Sequence, residues 1–303
     1  MFDHKYTEQV HLLLSCMPAV ADEACFALKG GTAINLFVRN MPRVSVDIDL
    51  IYLPVAPRDV SLSGIESALR NIKETIDRDL DGIAVKEKMI QGHVAKLTVI
   101  SPTAEIKIEP NLVLRGALGD SIRRDLCEAA QDTFEVFCSA PVASDADVYA
   151  GKLCAALDRQ HPRDLFDVKV LLDDTGITSA IRRAFIVYLA AHNRPMHELL
   201  DPNMQGIAGT YRDEFFGMAQ NPPDIEELKA VQKRLSPMLL TSLDTDEKTF
   251  LLSMKSGDPD WAVLGIEGLE RMPALQWKLL NIRKMDARKR HEQLEVLKDL
   301  LGM

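Results

Sequence analysis

The hydrophobic spacing of this chain changes character part-way along, and that change restricts its fold more than any other feature. Up to about residue 140, helical stretches alternate with short runs rich in Val, Ile and Tyr. Beyond it, apolar residues recur every three or four positions in one segment after another. The first pattern needs a sheet covered by helices, and the second needs helix packed on helix. The expectation is an α+β protein, with a mixed sheet and flanking helices over residues 1–140 and an α-helical domain over 141–303. A linker is expected near Ala140–Asp145. A chain of 303 residues has about the length that two domains require.

Periodicity and punctuation predict individual elements. A helix over Glu8–Val20 precedes a strand-like Phe26-Ala27-Leu28, then Gly30-Gly31, with Thr32 capping a helix through Ala33, Leu36 and Phe37 that Pro42 breaks. Val44–Leu53 reads as a strand and Ser61–Leu80 as an amphipathic helix. Strands are expected at Ile83–Ile90, His93–Ile100, Ala104–Glu109 (closed by Pro110) and Phe134–Cys138. Helices are expected from a capping Asp145 to Leu157, then at Pro162–Asp173, Thr178–His192, Ile225–Arg234, Asp246–Ser253 and Asp286–Leu301.

Composition removes several classes. With 47% hydrophobic and 27% charged residues the chain is neither disordered nor fibrous. No run approaches the roughly 20 apolar residues that cross a bilayer, and MFDHKYTEQV lacks the basic-then-apolar pattern of a secretion signal. The 5 cysteines are odd in number and include no CxxC pair, which fits thiols in a reducing compartment. A cytoplasmic protein is expected. The net charge of −9 argues against coating nucleic acid with the whole surface, but permits a local basic patch.

The chemistry-bearing stretch is Lys29-Gly30-Gly31-Thr32 followed by Ser45-Val46-Asp47-Ile48-Asp49-Leu50. On a strand, residues two apart share a face about 6.5–7 Å apart, so Asp47 and Asp49 project together. Paired carboxylates repel unless a cation joins them, and a hard divalent ion such as Mg²⁺ takes oxygen ligands, water and substrate phosphates. The plain alternative is an acidic end to an edge strand. A glycine pair before a helix lets a phosphate approach the backbone closely, although a tight turn needs glycines too. No Walker loop is present. Glu105, Lys107 and Glu109 share one face of the next strand, and Glu109 becomes a third acid if the sheet brings it beside Asp47 and Asp49.

Taken together, LKGGTAINLF, RVSVDIDL, KIEPN, GKLCAALDRQHPRDLFDV and PALQWKLLNI resemble the AbiEii/AbiGii-type toxins, a branch of the DNA-polymerase-β-like nucleotidyltransferase superfamily. The resemblance runs from about Leu28 to Leu280. It implies a Mg²⁺-dependent nucleotidyltransferase serving as the toxin of a toxin–antitoxin or abortive-infection pair, with NTP and a cognate antitoxin as partners. The acceptor it implies is the 3′ end of tRNA. By the same resemblance, Gly30, Gly31, Thr32 and Ser45 bind nucleotide, Asp47 and Asp49 bind Mg²⁺ and the reacting phosphate, and Glu109 is a third metal ligand. Lys152 contacts phosphates of the incoming nucleotide, and Asp167 is needed for activity. The chain departs from the wider superfamily by carrying Gly31-Thr32 in place of a GS pair.

Residue spacing adds a plainer reading of the second block. Lys152, Ala156 and Arg159 lie on one helix face, and Asp164 near a helix start suits the positive end of the dipole. Arg283, Lys284, Arg288, Lys289 and Arg290 read first as the solvated face of a terminal helix, with tRNA phosphates as the alternative. Trp261 and Trp277 read as core anchors, and His161 as structural. Two rival functions stay open: the same chemistry on a protein or small-molecule acceptor, and a non-catalytic binding protein on the same scaffold.

Overall fold

The structure, a computed structural model, describes residues 2–303. Residues up to Val148 form one compact unit together with Arg212–Pro222; Tyr149–Tyr211 and Pro223–Met303 form a second. The first unit runs α1 (His4–Ala21), β1 (Phe26–Lys29), α2 (Gly30–Thr32) continued by a π-helical turn over Ala33–Val38, and β2 (Ile48–Tyr52). Next come α3 (Arg58–Asp79), β3 (Ala84–Ile90), β4 (His93–Ile100), β5 (Glu105–Arg115), β6 (Ile122–Asp125), α4 (Glu128–Phe134) and β7 (Ser139–Val142).

The strands form one mixed sheet of 7 in the order β3-β4-β5-β2-β1-β7-β6. β1 runs parallel to β7 and β2 parallel to β5, and the other neighbours are antiparallel. α1 packs on β5 and β7, and α3 on β4. The predicted spacing on α3 is met: Ile65, Leu69, Ile72 and Ile76 are buried, each worth about 1.5–3 kcal/mol of apolar transfer. The returning segment hydrogen-bonds just upstream of the acidic motif, from the Val44 amide to the Met218 carbonyl at 2.8 Å.

Several expectations are corrected in this unit. Pro110 does not end its strand. β5 continues to Arg115 through a register shift against β2, in which the Asn111 side chain accepts from the Val113 and Leu114 amides at 2.9 and 2.8 Å. Proline has no N–H to give, so the ladder breaks there and resumes after a bulge. Phe134–Cys138 is not a strand: Phe134 ends α4, and Glu135 turns left-handed at φ 50. The strand follows as β7, which takes up Ala140 and Val142 and pairs with both β1 and β6. Ser144, not Asp145, caps the next helix, accepting from the Asp147 amide at 3.1 Å.

That helix, α5 (Asp145–Arg159), contains the unit boundary. α6 (Pro162–Asp174), α7 (Ser179–Ala191), α8 (Met196–Leu200), α9 (Ala208–Glu214), α10 (Ile225–Ser242), α11 (Thr245–Ser256), α12 (Pro273–Lys284) and α13 (Ala287–Leu301) follow. Within the second unit α6 packs on α10, whose buried faces carry Leu165, Val168 and Leu171, and Leu228, Val231 and Leu235. α10 and α11 each start with a reciprocal cap, Asp224 with Glu227 and Asp244 with Glu247. His161 is structural as expected, its Nδ1 accepting from the Arg163 amide at 3.1 Å. The two tryptophans differ. Trp261 lies against Phe250, but Trp277 is 40% exposed and is no core anchor.

Candidate active site

β1 leads through the extended Lys29 directly into Gly30, which is left-handed at φ +68. A Cβ at Gly30 would overlap Asp49 Oδ2; one at Gly31 would lie 2.8 Å from Ser45 Oγ and 2.9 Å from Arg43 Nη2. The two glycines therefore let a helix start lie flush against the Asp49 carboxylate and the Ser45 hydroxyl. Arg43, only 2% exposed, stands behind this turn; it opens the RVSVDIDL stretch, but its place beside Gly31 was not legible in the sequence. Thr32 does not cap a helix. The helix begins at Gly30, and Thr32, helical and fully buried, donates its hydroxyl to the Asp47 carbonyl at 2.5 Å. That bond fixes the backbone of the acidic motif to the glycine turn.

β2 begins at Ile48, so Asp49 lies in the strand and Asp47 in the bend just before it. Ile48 and Leu50 are buried while Asp47 and Asp49 are half-exposed, the alternation that the spacing predicts. Asp49 is in register with Lys29 of β1 on one side and Glu109 of β5 on the other. Glu109 is ion-paired with Lys96 of β4, which is in register with Lys88 of β3. A row of charges thus crosses five strands: Lys88, Lys96, Glu109, Asp49, Lys29. Neighbouring strands lie about 4.8 Å apart, close enough for the two central carboxylates to repel and for the outer cations to hold them. Burial, then the ammoniums of Lys107 and Lys88, push Lys96 below the ordinary lysine range against the pull of Asp47 and Asp49. Neither Lys96 nor Lys88 stands out in the sequence, because strand alternation tells the face but not the neighbour.

Among the described residues, no three Asp, Glu, His or Cys side chains converge closely enough to hold a metal ion unaided. Asp47 and Asp49 nonetheless fit a hard divalent cation that takes one or two carboxylates and completes its shell with water and substrate phosphates. The absent side chain at Gly30 keeps Asp49 Oδ2 approachable. Glu109 stands beside Asp49, and its carboxylate is engaged by Lys96.

In the second unit, α5 and α6 bring together Lys152, Arg159, Asp164 and Asp167. Lys152 Nζ lies 2.9 Å from a carboxylate oxygen of both Asp164 and Asp167, and Arg159 grips Asp164 through two nitrogens at 3.0 and 2.9 Å. Lys152, Asp164 and Asp167 are 5%, 2% and 1% exposed. Asp164 is thus not simply a charge at a helix start: it joins the two cations that the helical spacing had put on one face. Two positive and two negative groups balance, which is what makes such burial tolerable.

No curated protein matches the chain. Among solved structures, it is similar to MenT4, a nucleotidyltransferase toxin from Mycobacterium tuberculosis H37Rv, with a TM-score of 0.58 and 17% identity over 97% of this chain and 91% of that one. This likeness shows a shared mixed α/β fold. Residues 11–281 match the family described as nucleotidyl transferase AbiEii toxin, type IV TA system. The match takes in the glycine turn, the charge row and the Lys152 cluster alike, and the chain belongs to the AbiEii family of nucleotidyltransferase toxins of type IV toxin–antitoxin systems.

Proposed function

We propose that this nucleotidyltransferase transfers NMP from an NTP to the 3′ end of tRNA with Mg²⁺, in the cytoplasm, and that a cognate antitoxin restrains it. The observation that carries the reading is the glycine turn lying against Asp49, with Asp49 and Glu109 in register between flanking lysines. In the reaction, the acceptor 3′-hydroxyl oxygen attacks the α-phosphorus of the NTP. A new phosphodiester bond forms, the bond to the bridging oxygen of the β-phosphate breaks, and pyrophosphate leaves while the hydroxyl proton is lost.

The backbone amides at Gly30 and Gly31 are assigned to the triphosphate, with the Ser45 hydroxyl beside them; Thr32 acts by holding Asp47. A divalent ion held by Asp47 and Asp49, with Glu109 as third ligand, would supply charge neutralisation on the triphosphate and lower the pKa of the acceptor hydroxyl. Lys96 holds Glu109 in place beside Asp49. Lys152, oriented by Asp164 and Asp167, counters phosphate charge as pyrophosphate departs.

The test is incubation with each α-labelled NTP and total RNA, followed by separation of tRNA. Label at the tRNA 3′ end is expected with wild type, and its loss with Asp47→Ala that keeps wild-type near-UV circular dichroism. Retained labelling in that variant overturns the site; label in protein alone overturns the acceptor.

A further inference from the structure

The second unit holds a cavity of about 120 Å³, lined by Asn193, Lys255, Trp277, Lys278, Asn281 and Gln293 among others. One water needs roughly 10–15 Å³ by this measure, so the space admits a tetrahedral oxyanion. Its walls are cationic. Lys278 Nζ donates to the carbonyls of His192, Asn193 and Arg194 at 2.5, 3.2 and 2.9 Å, just beyond the end of α7. Lys255 is 3% exposed and donates to Gln293 Oε1. Among the described residues, neither ammonium has a carboxylate within 4.0 Å. Glu198, the acid whose charge reaches both, is bonded to Arg194. Burial, followed by a neighbouring ammonium, lowers both lysines, Lys278 to about 8. A buried ammonium, Lys255, beside a half-buried one, Lys278, with no carboxylate in contact with either is unfavourable, and an entering anion offsets that penalty.

The mouth indicates which anion. Trp277 beside the cavity is 40% exposed, and an indole face next to cations suits a stacked nucleobase. Arg283, Lys284 and Lys289 are exposed nearby on α12 and α13, and Arg283 Nε reaches the Gly257 carbonyl at 2.9 Å, two residues past Lys255. Arg290 Nη1 approaches the same glycine. Within the run Arg283–Arg290, Arg288 is the cation paired with a carboxylate, that of Glu292 at 2.8 Å. An acidic peptide would satisfy the lysines but leave the indole unused.

From this arrangement we infer that the cavity takes a phosphate group of an RNA strand, with the adjoining base stacked on Trp277 and the strand continuing over α12 and α13. The inference deepens the reading of an RNA acceptor and rests on it for the identity of the strand; the binding itself requires no transfer.

Fluorescence anisotropy of a labelled short single-stranded RNA tests it, with the full chain and no NTP. Trp277→Ala removes an exposed ring and is expected to weaken binding about five- to a hundredfold, with Trp277→Phe restoring most of it. Lys255→Met, of similar volume, is expected to weaken binding about tenfold, and near-UV circular dichroism checks that each variant folds. Free nucleoside monophosphate and inorganic phosphate should compete only at far higher concentration than unlabelled RNA. Unchanged affinity in folded Trp277→Ala and Lys255→Met overturns the inference. So does an acidic peptide, or free nucleotide, that competes as well as RNA. Failure of the transfer reading is distinguishable: wild type then labels no RNA, while the Trp277 and Lys255 variants still lose RNA binding.

Discussion

At Gly30 the backbone is left-handed and Asp49 Oδ2 occupies the place a side chain would take, so Gly30→Ala meets two separate penalties. The left-handed conformation alone costs an L-residue about 1–2 kcal/mol. Displacing Asp49 adds to that cost and shifts the carboxylate on which the proposed chemistry depends. Gly92 separates the effects, being left-handed at φ +85 with nothing within 4 Å of where a Cβ would stand. Gly92→Ala should therefore lower the unfolding free energy by about 1–2 kcal/mol and leave transfer unchanged. Gly30→Ala should lower stability by more and transfer by at least about tenfold, since misplacing a positioned group by about 1 Å can cost a hundredfold. Urea unfolding and initial rates measure both, and equal activity in the two variants would show that the glycine turn does not position Asp49. The glycine pair and the two aspartates were legible in the sequence because local spacing fixes their relation. Lys96, Arg43 and the bridging place of Asp164 were not, because each depends on which strand or helix lies alongside.

Elements were legible where one period ran long. The helix expected at Ser61–Leu80 is found at Arg58–Asp79, and the strand His93–Ile100 has the expected ends. Proline is a misleading boundary at Pro110, where β5 does not close; the helix expected at Ile225–Arg234 runs further than its spacing predicts, through Pro237. α10 continues past Pro237 to Ser242, carried by buried Leu235 and Leu239 on either side. Short runs failed for another reason: Phe134, Val136 and Phe137 favour strands, but burial of Phe134 at the end of α4 outweighs that preference. The Pro237 case has a measurable consequence. An interior helical proline costs about 3 kcal/mol relative to alanine, whereas its loss frees the unfolded chain by about 0.4–1 kcal/mol. Because Pro237 is exposed, its replacement opens no cavity. Pro237→Ala is expected to raise the unfolding free energy by about 2–2.6 kcal/mol, read from the denaturant midpoint. A lower midpoint would mean that the ring of Pro237 is itself needed for packing.

Taken over the whole molecule, a net charge of −9 opposes any polyanion, and both the NTP and the proposed acceptor are polyanions. Exposed charges act over about 8–10 Å at ordinary ionic strength, so attraction has to come from local groupings, and the total charge decides little. Two groupings answer that need: the lysines flanking the acid pair on the sheet, and the basic run on α12 and α13. Pairing within the second grouping sets how strongly RNA binding depends on salt. Arg283, Lys284, Lys289 and Arg290 have no carboxylate partner among the described residues, whereas Arg288 is held by Glu292. A single strand releases about 0.7 counter-ion per phosphate neutralised, so contact through these four cations gives a log–log slope of RNA affinity against salt of about −3. Lys289→Ala should make that slope shallower by about 0.7 and weaken binding across sequences alike, whereas Arg288→Ala should leave it nearly unchanged. Anisotropy titrations between about 50 and 200 mM salt supply the slopes. Equal effects of the two substitutions, or a slope near zero, would mean that RNA is held elsewhere on the chain.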